Sequence, residues 1–279
     1  MPSTPPDPAV SVCIPSFNGG EFLEECLVSI ATQEGVTLEI ILLDDNSNDG
    51  TFELAEAVLK RYPTIERIIR KNPVRLGMAA NWNACVSLAR GEFIKLMGQD
   101  DVLLPDCLQK QVLTMRSHPN ASVASAARLM VNQTSRPFFR MPSPFPAGVI
   151  AGPVAARKCL LSGTNLIGDP VAVLFRKSAF DSAGCFNPEI KYCTDMEMWL
   201  RLLSLGDLYF DQSTLVLYRI HGESTGQSVR DIVPQDFIKS LESVEGLFDW
   251  NISATQRFLI KQKSRLLAVL RNAVYSILS

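Results

Sequence analysis

The sequence predicts an α/β protein with a doubly wound, mostly parallel sheet and a helical extension at its C-terminal end. Two observations lead to this fold class. Apolar runs alternate with helical patterns of about 12 residues, and the runs are apolar on both sides, which is typical of parallel strands covered by helices. The predicted strands are 10–14, 38–43, 65–70 and 92–97, and the helices between them are 21–33, 51–62 and 78–90.

Local signals set the ends of these elements. Pro63 ends the second helix and Gly91 the third, since proline cannot continue a helix and glycine suits the residue that follows one. The run DDNSNDG supplies turn and N-cap residues ahead of the second helix. A further helix is predicted to open at Leu104, and the proline-rich stretch 141–156 is predicted to be loop.

Composition limits the partners and the compartment. A formal charge of -2 argues against a protein that binds nucleic acid through a basic surface. Seven cysteines without a C-x-x-C pair suit free thiols in a reducing compartment. Residues 1–9 lack the pattern of a signal peptide and are expected to form a loose leader. We therefore expect a cytoplasmic protein, with the inner face of the membrane as an alternative location.

Acidic residues gather where the predicted strands end. The first strand is followed by PSFNGGE, the second by DDNSNDGT and the fourth by GQDD. In doubly wound sheets, ligands bind beyond the carboxyl ends of the strands. Helix capping and solvated loops account for some of these acids, but neither requires the pairs Asp44–Asp45 and Asp100–Asp101. A divalent cation that bridges such a pair to phosphate oxygens would relieve the repulsion between the carboxylates.

The order and spacing of these motifs resemble those of family 2 inverting glycosyltransferases with a GT-A-type fold. The runs VSVCIPSFNGGEFLEECLVSI, IILLDDNSNDGT and NPVRLGMAANWNACVSLARGEFIKLMGQDD resemble the nucleotide-sugar half of the family. The runs GDPVAVLFRKSAFDSAGCFNPEIKYCTDMEMWLRLLSLGDLYF and LVLYRIHGESTG resemble its acceptor half. The resemblance implies a nucleotide-sugar half at 10–131, an acceptor half of the same domain at 132–225 and a helical extension at 226–279.

The resemblance also implies the donor-binding residues. The turn formed by Pro15, Phe17 and Asn18, with Glu21 nearby, matches the turn that lies against the nucleotide base in the family. Asp45 matches the acid that binds the edge of the base, and Asp100 matches the acid near the ribose. A carboxylate that accepts from a ring N–H suits uracil, and less often guanine. The expected donor is therefore a nucleoside-diphosphate sugar, with UDP favoured.

The resemblance assigns three further residues. Asp101 matches the metal ligand, His221 a position that can approach the metal or the diphosphate, and Asp195 the general base. The family often has another aspartate where this chain has Gly98, so the metal site is expected to have few protein ligands. Mg²⁺ or Mn²⁺ would then take most of its ligands from water and the diphosphate. An ordinary strand-end role remains open for His221.

The run TDMEMWLRLL has a structural explanation as well. Thr194 and Glu197 fit the S/T-x-x-E capping box at the start of a helix. This box leaves Asp195 free for catalysis, and the helix N-terminus is expected to keep its carboxylate ionised. The resemblance then implies a single displacement with inversion, in which Asp195 deprotonates an acceptor hydroxyl of a sugar or glycoconjugate.

Two regions are expected to lie outside the donor site. The segments 132–165 and 222–250 are expected to shape the acceptor pocket. In the segment 254–279, one helical face carries apolar residues, and we expect it to pack on the catalytic domain or on a second copy of the chain; the alternative is a basic amphipathic helix on an anionic membrane. That face is formed by Leu259, Leu266, Leu270, Ala273 and Ile277.

Other classes of protein share parts of this pattern. A non-catalytic protein that binds nucleotides or carbohydrates could use the same sheet edge. A phosphoacceptor signalling domain also gathers acids at strand ends, but it would leave the second half of the chain unexplained. A nucleotidyltransferase would usually have a basic, glycine-rich first loop, and PSFNGGE has no basic residue.

Overall fold

The computed structural model describes residues 7–142, 144–222 and 232–278, with side chains described as far as residue 271. Its strands are β1 (Val10–Ser16), β2 (Leu38–Asp44), β3 (Glu66–Lys71), β4 (Phe93–Leu96), β5 (Val102–Leu103), β6 (Ala121–Val131), β7 (Pro137–Arg140), β8 (Gly148–Ile150), β9 (Val173–Arg176) and β10 (Asp207–Arg219). Its helices are α1 (Leu23–Ala31), α2 (Thr51–Leu59), α3 (Met78–Ser87), α4 (Cys107–Ser117), α5 (Gly152–Ser162), α6 (Lys177–Ala183), α7 (Thr194–Leu203), α8 (Val233–Ser243) and α9 (Ala254–Leu278).

Within the described residues, all ten strands belong to one sheet. The main order is β3-β2-β1-β4-β9-β6-β10-β5, with β7 paired to β6 and β8 to β10. The strands β3, β2, β1 and β4 run parallel to one another, as do β6 and β10, whereas β9 joins the two groups through antiparallel pairs. This is the doubly wound α/β sheet that the sequence predicts.

The sheet separates two hydrophobic clusters. One contains Leu27, Leu59 and Leu108, which are buried residues of α1, α2 and α4. The other contains buried residues of α3, α5, α6 and α7, with Trp199 of α7 among its largest members. Because both faces of the central strands are covered, β1 and β2 are buried along nearly their whole length. The polar groups that follow these strands are thus held on a rigid edge.

The structure corrects two predictions about local elements. The stretch 141–156 is not all loop, since it contains β8 and the first turns of α5. Pro153 lies in the first turn of α5, where its missing N–H leaves no helical hydrogen bond unmade. The helix predicted to open at Leu104 begins instead at Cys107, after a turn in which Asp106 has a left-handed backbone (φ 63°).

The helix α9 packs on the α/β domain with a different face from the predicted one. Its buried residues are Ile260, Ser264 and Ala268, and it contacts α5 and α8. The predicted face points outward, since Leu259 and Leu266 are exposed, while the side chains of Ala273 and Ile277 lie outside the described set. Within the described residues, no helix combines the length and the apolar character that crossing a membrane requires.

Candidate active site

A cavity of about 350 Å³ opens at the carboxyl ends of β1 and β4. Pro15 of β1 and the loop after β4 form one part of its wall. The opposite elements contribute the loop before β9, the start of α7 and the inner face of α9. Three acids implied by the resemblance meet here, because Asp100, Asp101 and Asp195 all line this cavity. Asp195 is about a hundred residues further along the chain than the pair Asp100–Asp101, and the fold brings it to the same cavity.

The two adjacent acids of the β4 loop lie in different environments. Asp101 is buried, and its Oδ1 accepts the backbone N–H of Arg219 at 3.0 Å. Burial raises the pKa of Asp101 well above its usual range, and the neighbouring charge of Asp100 raises it further. Asp100 is more accessible, and its Oδ2 lies 2.9 Å from Nε2 of His221. His221 therefore contacts an acid of the pair directly.

Arg219 fixes the loop that carries this acidic pair. Its buried guanidinium donates to the backbone oxygens of Asp100, Asn132 and Gln133 at 2.8 to 3.1 Å. It also forms a 2.6 Å ion pair with Glu25 of α1. Because these bonds join α1, the β4 loop and the end of β6, Arg219 holds the pair in place and supplies a nearby positive charge.

The residues present suit a loosely held cation. A Cβ at Gly98 would lie 2.7 Å from Oδ1 of Asp100 and 3.0 Å from Oδ2 of Asp101, so the missing side chain leaves room beside both carboxylates. Within the described residues, no three acidic, histidine or cysteine side chains form a metal-binding group. A cation beside Asp101, such as Mg²⁺ or Mn²⁺, would take most of its ligands from water and a diphosphate.

The predicted base-binding turn is connected to the same loop through Gln99. The amide of Gln99 bonds both the N–H and the carbonyl of Phe17 at 2.9 Å. Arg75 lies over the Phe17 ring, 3.7 Å from the ring centroid, so one face of the ring predicted to stack on the base carries a guanidinium. Asn18 is exposed in a left-handed conformation (φ 48°), and Glu21 is exposed beside it.

The carboxylate of Asp45 forms hydrogen bonds with other groups of the protein. Its carboxylate accepts the backbone N–H groups of Leu76 and Gly77 at 2.7 and 2.8 Å, and the amide of Asn72 at 2.9 Å. Asp45 therefore shapes the turn ahead of α3. Among the described residues, Asp45 and Phe17 lie outside the cavity lining, and the contact of Asp45 with a base remains a prediction.

Asp195 lies in the first turn of α7 beside a well-braced loop. Its Oδ2 accepts the side-chain N–H of Asn165 at 3.0 Å. Asn165 in turn accepts the N–H groups of Ile167 and Gly168. Burial raises the pKa of Asp195 to about 7, with a further contribution from the charge of Asp169. Hydrogen bonds at the helix N-terminus lower the pKa of Asp195 only in part. The expectation that the helix N-terminus keeps this carboxylate ionised is corrected accordingly.

The predicted capping box at Thr194 is wrong. Thr194 is the first residue of α7, and its hydroxyl donates to the carbonyl oxygen of Ile190 instead of capping the helix. Glu197 pairs with Arg201 one turn later at 2.8 Å. The helix instead begins after Cys193, whose carbonyl accepts the N–H of Glu197.

Sequence reasoning missed several residues that build the site. Arg219 and Arg128 were detectable, because each is a lone arginine inside an otherwise apolar strand, LVLYRI and ASAARLM. Arg128 forms a 2.7 Å ion pair with Asp169 in the cavity wall. Gln99 and Asn165 carry no comparable signal, because an amide in a polar loop is common.

A family model and curated relatives match much of this chain. The model of glycosyl transferase family 2 matches residues 11–184. An uncharacterized protein of Mycobacterium tuberculosis is 36% identical over 207 residues, covering 71% of this chain and 63% of that protein. Abequosyltransferase RfbV of Salmonella typhimurium is 42% identical over 101 residues, covering 36% of this chain and 30% of that enzyme. The chain therefore belongs to glycosyl transferase family 2.

Solved structures share the fold. S. aureus TarS in complex with UDP-GlcNAc superposes with a TM-score of 0.70 at 17% identity, covering 94% of this chain and 72% of that one. A mannosyltransferase from Pyrobaculum calidifontis in complex with GDP-Man and Mn²⁺ gives a TM-score of 0.62 at 16% identity, covering 98% and 76%. This chain spans 63% and 30% of the two curated relatives above.

Proposed function

We propose that this chain transfers a sugar from a nucleoside-diphosphate sugar to an acceptor hydroxyl with inversion at the anomeric carbon. The observation that carries the proposal is the meeting of Asp100, Asp101 and Asp195 in one cavity. The first two lie where nucleotide ligands bind in this fold class, beyond the carboxyl ends of β1 and β4. The third brings a group with a pKa of about 7, which suits a general base at neutral pH.

In the proposed reaction, Asp195 accepts the proton of the acceptor hydroxyl as its oxygen attacks the anomeric carbon. The bond from that carbon to the diphosphate breaks in the same step, and the nucleoside diphosphate leaves. Asn165 orients the Asp195 carboxylate through its 3.0 Å hydrogen bond. A divalent cation held by Asp101 would offset the charge that develops on the leaving diphosphate.

The partners of the reaction are inferred from chemistry and from the structural neighbours. TarS was solved with UDP-GlcNAc, and the Pyrobaculum enzyme with GDP-Man and Mn²⁺. For this chain we favour a UDP-sugar, with Asp45 near the edge of the base and Asp100 near the ribose. The acceptor would enter beside the segments 132–165 and 222–250, since Met141, Thr164 and Phe237 line the cavity.

A thermal-shift screen of UDP, GDP, dTDP and CDP, each with and without Mn²⁺, tests the donor class. We expect UDP to raise Tm more than the other nucleotides and Mn²⁺ to enlarge the shift, because ligands that bind only the folded state stabilise it. At 100 times its Kd, a nucleotide contributes about 2.7 kcal/mol. Four nucleotides without any effect would contradict the proposed function, and a response to GDP alone would reassign the donor.

The outer face of α9 fits an anionic membrane surface. Phe258, Leu259, Leu266 and Leu270 are each more than half exposed on this face. Within the described part of this helix, the exposed charged residues are the cations Lys261, Lys263 and Arg265, so two copies would repel each other whereas an anionic bilayer would attract the helix. We infer peripheral docking to such a membrane through this face.

Liposome flotation tests the docking. We expect the full chain to float with vesicles that contain anionic phospholipid and to remain at the bottom with zwitterionic vesicles. The double substitution Leu266→Gln and Leu270→Gln should abolish flotation, because it removes exposed apolar area without disturbing the buried face. The matched control is Leu113→Gln, at an exposed leucine of α4. Concentration-dependent dimers that do not float would assign the face to a second copy instead.

A further inference from the structure

On the described part of α9, three buried polar atoms have no hydrogen-bond partner. Within the part of the chain that the structure describes, Nε and Nη2 of Arg271 and Oγ of Ser264 find no donor or acceptor. Buried polar groups are nearly always hydrogen-bonded, and leaving a charged one unpaired is especially costly. Ser264 and Arg271 are seven residues apart, which is about two helical turns, so they share one face of α9.

That face lies on the catalytic cavity. Ser264, Ala268 and Arg271 all line the same space as Asp195. The guanidinium of Arg271 lies over the ring of Tyr192, 4.7 Å from its centroid, and Tyr192 precedes Asp195 by three residues. Stacking of this kind holds a guanidinium in place while leaving its N–H groups able to donate. Arg271 is thus a positioned donor in the cavity wall.

Among the residues that the structure describes, no acid forms an ion pair with Arg271. Arg128, which lines the same cavity, forms a 2.7 Å ion pair with Asp169. Among the described residues, Arg271 has no ion pair, and neither does Lys191, an exposed residue of the same wall. This part of the cavity therefore presents positive charge to whatever enters it.

The position of Arg271 favours the acceptor over the donor. Arg271 lies over the ring of Tyr192, and the same helix packs on Gly163 in the loop that carries Asn165. The donor side is built from the ends of β1 and β4, and there Arg219 and His221 already face the acidic pair. An anion held by Arg271 would therefore belong to the molecule that brings the attacking hydroxyl to Asp195.

Close packing keeps α9 against the cavity. Gly163 has a left-handed backbone (φ 78°), and a Cβ there would lie 2.9 Å from Cβ of Lys263 and 3.0 Å from the backbone nitrogen of Ser264. Any larger residue would push the helix away. The contact sets the depth at which Ser264 and Arg271 enter the cavity wall.

We propose that Arg271 and Ser264 form a subsite for an anionic group of the acceptor, a phosphate or a carboxylate. The guanidinium donates to two oxygens of the anion, and the Ser264 hydroxyl donates to one. The proposal rests on the proposed glycosyl transfer, because it takes the other occupant of the cavity to be a nucleotide sugar. It assigns to α9 a part in acceptor specificity.

Calorimetric titration tests this subsite. Wild-type protein saturated with UDP and Mn²⁺ is titrated with glucose 1-phosphate, with glucuronate and with uncharged methyl glucoside. We expect at least one of the two anions to bind about tenfold or more tightly than the glucoside, and the preferred anion identifies a phosphate or a carboxylate. Arg271→Gln should weaken the binding of that anion by about 10- to 100-fold, as expected when a charge-assisted hydrogen bond is lost. Arg271→Lys should retain part of the affinity.

Two further measurements make the result decisive. Arg265→Gln, which alters an exposed arginine of the same helix, should leave anion affinity unchanged, and Arg271→Gln should bind UDP as wild type does. Equal binding of glucoside and anions, equal effects of the two arginine substitutions, or a tenfold loss of UDP affinity in Arg271→Gln would each overturn the subsite. Wild-type protein that binds the anions but none of the four nucleoside diphosphates would contradict the proposed function and leave the subsite standing.

Discussion

The substitution Asp195→Asn should reduce sugar transfer by about 10²- to 10⁴-fold while leaving the affinity for the donor nucleotide unchanged. Asparagine keeps the shape of the side chain and can still accept the hydrogen bond from Asn165, which is 3.0 Å long in the wild type. It cannot accept a proton from the acceptor hydroxyl. Steady-state kinetics of sugar transfer, together with calorimetric titration of the nucleotide, separate the two effects.

The matched control is Asp181→Asn. Asp181 is an exposed aspartate of α6 that pairs with Lys177 on the surface, so the same chemical change there should alter neither rate nor binding. A turnover in Asp195→Asn within a few fold of wild type would exclude Asp195 as the base. Another group would then have to accept the proton of the acceptor hydroxyl.

The rate should rise with pH through neutrality. Burial and the nearby Asp169 raise the pKa of Asp195 to about 7, and only the ionised carboxylate can act as a base. We therefore expect kcat/KM to fall about tenfold per pH unit below this pKa, because that quantity reports ionisations of the free enzyme. In Asp195→Asn this acidic limb should be absent from the residual rate.

The raised pKa of Asp195 also predicts that the Asp195→Asn variant is more stable than wild type at alkaline pH. A carboxyl group whose pKa is raised in the folded state favours folding while protonated, and this contribution is lost progressively as pH rises from about 4, the pKa of an unfolded aspartate, to about 7. Asparagine never ionises, so Asp195→Asn should unfold at higher temperature than wild type at pH 8 and nearly equally at pH 4. A gain of about 1 kcal/mol corresponds to roughly 2–4 °C.

The substitution Asp101→Asn should remove the effect of the metal. The amide keeps the hydrogen bond from the backbone N–H of Arg219 but loses the charge that attracts a cation. We expect Mn²⁺ no longer to enlarge the thermal shift given by UDP, and kcat/KM to fall by about 10²- to 10⁴-fold. The fold should remain intact, because the buried carboxylate of Asp101 has a raised pKa and gains little from being charged.

Asp106→Asn provides the control for this change. Asp106 is exposed five residues further along and has a left-handed backbone that asparagine tolerates. It should bind UDP and Mn²⁺ as wild type does. If Asp101→Asn kept a full metal-dependent shift, Asp101 would not be the metal ligand, and Asp100 together with His221 would become the next pair to test.

The first half of the fold could be predicted because β1, β2 and β4 are buried on both faces. The pairs Asp44–Asp45 and Asp100–Asp101 stand where such strands end, and the sheet edge was therefore visible in the sequence. The second half could not be read in this way. There β6, β9 and β10 form a mixed sheet, and β10 departs from regular register at several points along β6. Alternation and turn signals are weak in such strands.

Site residues that belong to sequence motifs could be predicted. Site residues that act through tertiary contacts could not. The convergence of Asp101 and Asp195 followed from the resemblance to the family, and the structure places both on one cavity. The role of Arg219 depends on backbone oxygens of three separate segments, which no local pattern reveals. The place of Arg271 in the cavity wall could not be predicted either, because sequence periodicity does not show which face of α9 is buried.

A crystal structure of the Asp195→Asn variant with Mn²⁺ and its stabilising nucleotide sugar would test the central claim most directly. We predict that the cation contacts Asp101 and that the anomeric carbon lies between the diphosphate and the side chain of residue 195. A sugar whose anomeric carbon faces away from residue 195, or a diphosphate bound outside the cavity that contains Asp100 and Asp101, would contradict the mechanism.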